Sequence, residues 1–148
     1  MLELIDPRHV FAAWPDARKQ LRRTAKYDPN FDENEVLTGI INQTFHLWRT
    51  EAGFIVTGIR KRKGEAGRIF RIFYTAGSIL GANKAPFSYV RQIMRKLEET
   101  ALTGEFEGVT APKCKQVRLE GRKGWAKLLP EYSKRQLNNG NFEFYRGL

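Results

Sequence analysis

The chain has 148 residues, 41% of them hydrophobic and 12% aromatic, which suits one domain around a single core and excludes a disordered chain. Its 26 Lys and Arg against 16 Asp and Glu give a net charge of +10, so polyanions are the natural partners to test: nucleic acid, a phosphorylated ligand or an acidic protein surface. Membrane insertion is excluded by the lack of any apolar run near ~20 residues, an internal disulfide by the single Cys114, and a metal cluster by the isolation of His9 and His46. The opening MLELIDPRHVF has acidic residues and no long apolar stretch, so it does not read as a signal peptide; with one cysteine, a reducing cytosolic site of synthesis fits.

Residues 1–7 read as a short strand stopped by Pro7. Val10, Trp14, Ala17, Leu21 and Ala25 then recur at helical spacing, with Pro15 expected in a first turn or at a break. The polar loop KYDPNFDENE leads to a second helix, capped by Asp32 or Asn34, whose apolar face is Val36, Leu37, Ile40 and Ile41. The period then changes from helix to strand. TFHLWRTE, AGFIVTGIRKRK and GRIFRIFYTAGS read as an antiparallel meander joined by glycine-containing turns. Both faces of the middle run are mostly apolar, which predicts a central strand covered on both sides.

After the loop TAGSILGANKAPF, Ser88 is expected to cap a helix striped by Val90, Ile93, Met94, Leu97 and Ala101 and ended by Gly104. CKQVRLE reads as a strand. GRKGWAKLLPEYS reads as the opening of another helix, with Trp125, Leu128, Leu129 and Tyr132 on one face and Pro130 shortening or kinking it. NNG is a turn and NFEFYRGL a last strand, so the order is βαα-βββ-αβαβ, an α+β fold in one domain over residues 1–148.

The Gly-Arg-Lys-Gly turn at 121–124 has three readings. It can cradle a phosphate at a helix N-terminus, with Arg122 and Lys123 adding charge. It has the form of the GXXG loop of KH domains, although a strand and not a helix precedes it. It can also be a structural corner, in which Gly121 turns the chain, Gly124 lets the helix approach the sheet and Trp125 packs into the core.

The element order, together with HVFAAWPDARKQL, FHLWRTEAGFIVTGI, the helix ending in KLEETA and VRLEGRKGWAKLLPEY, resembles the GNAT superfamily of acyl-CoA N-acetyltransferases over about residues 8 to 135. It looks like the small GNAT-like proteins of tailed bacteriophages. The resemblance implies a mixed, mainly antiparallel central sheet flanked by helices, with the helix at 88–102 facing the pyrophosphate of acetyl-CoA. It also implies a phosphate loop at ILGANKAPFS, where Gly81 and Lys84 are present but the spaced glycine pair is absent and Pro86 removes a donor.

In that scheme Glu120, at the end of the strand before GRKG, is the candidate general base and Tyr132 the candidate proton donor, while Gly81, Lys84, Arg122 and Lys123 are the candidate phosphate holders. Arg60, Lys61, Arg62 and Lys63 form a basic hairpin tip suited to nucleic acid or an acidic partner, or to keeping an edge from pairing. The first expectation is therefore a phage GNAT-fold protein with a degenerate acetyl-CoA site and no cofactor. It would act as a binding or virion-associated structural protein in the bacterial host cytoplasm or the virion, contacting other phage structural proteins or DNA. The alternatives are an active acyl-CoA-dependent N-acetyltransferase using acetyl-CoA, and a basic nucleic-acid-binding module.

Overall fold

The structure, a computed structural model, describes residues 2–28, 30–61, 67–77 and 87–148. The elements are β1 (Leu2–Leu4), α1 (Val10–Thr24), α2 (Glu33–Ile41), β2 (Phe45–Thr50), β3 (Gly53–Arg60), β4 (Ile69–Gly77), α3 (Phe87–Thr103), β5 (Glu105–Phe106), β6 (Val109–Thr110), β7 (Gln116–Gly121), α4 (Trp125–Leu128), β8 (Ser133–Gln136) and β9 (Phe142–Gly147). Seven strands form one sheet in the order β1-β2-β3-β4-β7-β9-β8, and β5 with β6 makes a separate ribbon. The pairing of β4 with β7 is parallel, while β1 with β2, β2 with β3, β7 with β9 and β8 with β9 are antiparallel. This is the α+β fold that the pattern predicts, with the mixed, mainly antiparallel sheet that the resemblance implies.

The chain divides into two compact units, Met1–Gly58 with Phe73–Ala85, and Ile59–Ile72 with Pro86–Leu148, so β3 and β4 each run through both. In the first unit, the α1 stripe Val10, Ala13, Trp14, Ala17 and Leu21 is buried with Val36 and Ile40 of α2 against Phe45, Leu47, Phe54 and Val56 of the sheet. Asp32 caps α2 by accepting from the backbone N–H of Asn34 at 2.9 Å and of Glu35 at 3.2 Å. Gly39 brings α2 so close to the sheet that a Cβ there would strike the Phe45 ring. Residues Gly53 to Gly58 of β3 are all buried, as a strand covered on both faces requires. Pro15 lies inside an unbroken α1, neither in a first turn nor at a break; the helix absorbs the one N–H it lacks.

In the second unit, α3 lays its apolar stripe on one face of the strands, where Leu97, Val117 and Phe144 are almost wholly excluded from solvent. Gly104 follows α3 with φ +73°, and its N–H reaches the Thr100 carbonyl at 2.8 Å, the expected glycine stop. Ser88 sits inside the first turn of α3 and not before it.

The C-terminal helix is shortened at Pro130, as expected. It has a single turn, Trp125–Leu128, and the chain then forms β8, a strand that the helical spacing hid. Pro130 is the cause: its ring disfavours the helical region for the preceding residue, and Leu129 takes φ −126° and ψ 62°. Trp125, Leu128, Leu129 and Tyr132 are nevertheless all buried, as their spacing suggests. Among the described residues, no helix is long and apolar enough to cross a membrane.

Candidate site at the end of strand β7

The parallel β4–β7 ladder runs from Ile69 opposite Gln116 to Ile72 opposite Leu119 and stops there. Glu120 is the next residue of β7 and lies opposite Glu143 of β9. Because side chains alternate along a strand, Leu119 turns into the core while Arg118 and Glu120 share the other face. On that face, Arg71 of β4, Arg118 of β7 and Arg135 of β8 converge on Glu143, whose side chain is only 7% exposed. Arg135 Nη2 donates to Glu143 Oε1 at 3.2 Å, Arg118 Nη1 is 3.5 Å from the same oxygen, and Arg71 Nη1 is 3.9 Å from Oε2. The Arg118 Nε also donates to Gln116 Oε1. A buried carboxylate is tolerable when such charges surround it, because the guanidinium groups replace the water it has lost.

Glu120 stands at the rim of this cluster, with its side chain 33% exposed. Its Oε2 is 3.9 Å from Arg71 Nη2, and its Oε1 accepts from Asn139 Nδ2 at 2.9 Å and Asn141 Nδ2 at 3.4 Å. The asparagines come from the tight β8–β9 turn, where Gly140 has φ +86°. Glu120 is thus a partly exposed carboxylate held by neutral amides on one oxygen and facing a cation on the other. Such a group can receive an ammonium or take a proton from it.

Tyr132 lies elsewhere, on the α3 side of the strands. Its hydroxyl donates to Glu98 Oε1 at 2.7 Å, and Arg146 Nη1 donates to Glu98 Oε2 at 3.0 Å. Burial, followed by the Glu98 hydrogen bond and charge, pushes the Tyr132 phenol far above its ordinary range. The structure therefore does not bring Tyr132 and Glu120 together: one belongs to the network holding α3 to β9, the other to the opposite face.

Arg122 and Lys123 are exposed on the turn that follows β7. The turn closes by Trp125 N–H to the Arg122 carbonyl and Ala126 N–H to the Lys123 carbonyl, each 3.0 Å. Gly124 keeps a helical φ of −57° and has open space where a Cβ would be. The close approach belongs to Gly121, whose Cβ would strike Trp125 Cδ1. The corner thus forms as expected, with the packing role moved from Gly124 to Gly121. Gly81, Lys84, Arg62 and Lys63 lie outside the described residues, whereas Arg60 and Lys61 are exposed at the end of β3. His46, on β2, is half-buried, and desolvation lowers its pKa, so it is neutral at pH 7. Among the described residues, no group of three His, Cys, Asp or Glu side chains could hold a metal ion.

Sequence reasoning did not single out Glu143 or its three arginines. The one signal was the alternation in QVRLEG, where Gln116, Arg118 and Glu120 take every second position.

Solved structures resemble this one along the whole chain. A GNAT-family acetyltransferase from Listeria monocytogenes matches with a TM-score of 0.57 at 11% identity, covering 100% of this chain and 94% of its own. The chain has a GNAT-like fold. The NatB acetyltransferase complex bound to a bisubstrate inhibitor matches with a TM-score of 0.58 at 12% identity, covering 100% of this chain and 90% of its own. The NatC complex bound to Gag peptide and CoA matches with a TM-score of 0.57 at 11% identity, covering 100% and 98%. No family profile and no curated protein matches the GNAT-like chain. Identities this low carry the fold alone, and the phage origin implied by the resemblance has no support in them.

Proposed function

We propose that this chain is an acyl-CoA-dependent N-acyltransferase, built as one GNAT-like domain along its length. The observation that supports it is the whole-chain likeness to proteins solved with CoA and with a bisubstrate inhibitor. The residues fit an anionic diphosphate at the N-terminal end of α3. The first turn of that helix carries no acidic side chain, and a helix N-terminus attracts anions through its free N–H groups and dipole. Arg91 follows in the next turn, 41% exposed and 3.6 Å from Glu131. Gly81 and Lys84 precede this turn in sequence, and Arg122 and Lys123 offer exposed cations. When bound, an acyl thioester supplies an activated carbonyl. Glu120 holds the acceptor amine and takes its proton, with Asn139 and Asn141 fixing the carboxylate. Tyr132 keeps its proton and positions Glu98.

Isothermal titration with acetyl-CoA and turnover against an amine library test this reading. Binding in the micromolar range is expected, and Glu120→Gln lowers turnover by about 100-fold with acetyl-CoA affinity retained. Absence of binding at millimolar acetyl-CoA would overturn it. That outcome is the one expected of a degenerate site in a binding or virion-associated protein, a reading that rests on ILGANKAPFS and on the phage resemblance. A nucleic-acid module acting through Arg60 to Lys63 instead predicts DNA affinity that falls steeply with salt.

A further inference from the structure

The sheet ends at β8, so one side of that strand has no neighbouring strand among the described residues. All four side chains of Ser133–Gln136 are exposed. The hairpin pairing decides which backbone groups point outward. Leu137 N–H donates to the Asn141 carbonyl at 2.8 Å, making that a hydrogen-bonded pair. Bonded and non-bonded pairs alternate along an antiparallel ladder. The register sets Gln136 opposite Phe142, Arg135 opposite Glu143, Lys134 opposite Phe144 and Ser133 opposite Tyr145. Ser133 and Arg135 therefore bond to β9, and the N–H and C=O groups of Lys134 and Gln136 point away from the sheet.

This edge is cationic on both faces. Lys134 and Arg135 leave the strand on opposite sides. Lys134 Nζ lies 5.7 Å from the Phe142 ring centroid, with no carboxylate within ion-pair distance among the described residues. The Arg135 side chain is 62% exposed and shares Glu143 with Arg71 and Arg118. Edge cations oppose pairing with a second copy, which would bring Lys134 and Arg135 against like charges. They favour a strand of the opposite sign.

We propose that the β8 edge receives an extended acidic segment of a partner protein. The segment adds a strand by bonding to the outward groups of Lys134 and Gln136, and two consecutive carboxylates, which point to opposite faces, meet Lys134 and Arg135. Main-chain bonds supply affinity and the alternating side chains specificity.

The test uses the full chain and a fluorescein-labelled, amidated peptide with a central Glu-Glu pair flanked by Val and Thr, with a Lys-Lys peptide as control. Anisotropy is expected to show binding of the acidic peptide at least about tenfold tighter than the control. Amide exchange read by NMR is expected to slow at Lys134 and Gln136 and stay unchanged at Ser133 and Arg135, which are already bonded. Lys134→Glu weakens binding about tenfold, and it avoids the Glu143 contact that Arg135→Glu would also break. Gln136→Pro removes one outward donor and leaves the β9-facing bonds, so it weakens binding with melting unchanged. Equal binding of the two peptides, no binding of the acidic one, or exchange that slows elsewhere would overturn the proposal. So would a concentration-dependent dimer that protects Lys134 and Gln136, since it would assign the edge to a second copy.

Discussion

The two compact units cover their strands with different materials. In the first, α1 and α2 pack on a cluster of apolar side chains, and Leu21, Leu47 and Val56 have no solvent exposure. In the second, the α3 side of β7 and β9 combines Val117, Leu119 and Phe144 with the Arg146–Glu98 pair, and the opposite face carries Arg118, Glu120 and Glu143. An apolar face needs volume filled and is indifferent to direction. A charged face needs each ion matched in number and position, because a stranded buried charge is worse than an absent one. The first unit should therefore fail by cavity and the second by imbalance.

The largest effect is expected from a cavity. Leu47→Ala should lower stability by about 2–5 kcal/mol in urea unfolding followed by tryptophan fluorescence, with no dependence on salt. The charged face should respond next. Glu143→Gln removes the negative charge shared by three arginines with little change of shape, and is expected to lower stability by about 2–3 kcal/mol. A loss as small as that of an ordinary surface substitution would break the comparison, since the face would then be merely solvated.

Tyr132→Phe sharpens the comparison on the α3 side of the same strands. It removes one hydrogen bond to Glu98 and should lower stability by about 1–1.5 kcal/mol at neutral pH. It also has a pH signature. Burial and Glu98 raise the phenol's pKa in the folded state, so the folded protein holds a proton that the unfolded chain releases near pH 10. The stabilisation is complete below pH 10 and is lost as pH rises further, at up to about 1.4 kcal/mol per pH unit. Urea titrations from pH 8 to 11 should show this decline in the natural sequence and its absence in the Tyr132→Phe variant. The smallest effect belongs to Asp32→Ala, which uncaps α2 in the apolar unit at a loss of about 1 kcal/mol, read by thermal melting.

The sequence made the α+β order readable because its period switches so plainly. Val10 to Leu21 repeats every three or four residues, whereas Gln116 to Glu120 alternates. It misled where a local rule overrode the period. Trp125, Leu128, Leu129 and Tyr132 have helical spacing, yet Pro130 unwinds the chain after one turn, and tertiary packing buries all four by another route. The β5–β6 ribbon turns on Glu107 and Gly108, both with positive φ, and Glu-Gly is a weaker hairpin signature than Asn-Gly or Asp-Gly.

The candidate site was legible only in part. Glu120 could be placed at the end of its strand from pattern alone. Its neighbours could not, because Arg71, Glu143, Asn139 and Asn141 arrive through one parallel and two antiparallel registers. Register depends on which strands pair, and alternation within one strand is silent about that.

The contact between Gly121 and Trp125 has a bearing on descent. The indole edge occupies the space that any Cβ at 121 would need, so the two positions are not free to vary separately. Among homologues, a side chain at 121 should appear only with a smaller residue at 125, and a tryptophan at 125 should always travel with glycine four positions before it. The pair is a single inherited character written in two letters.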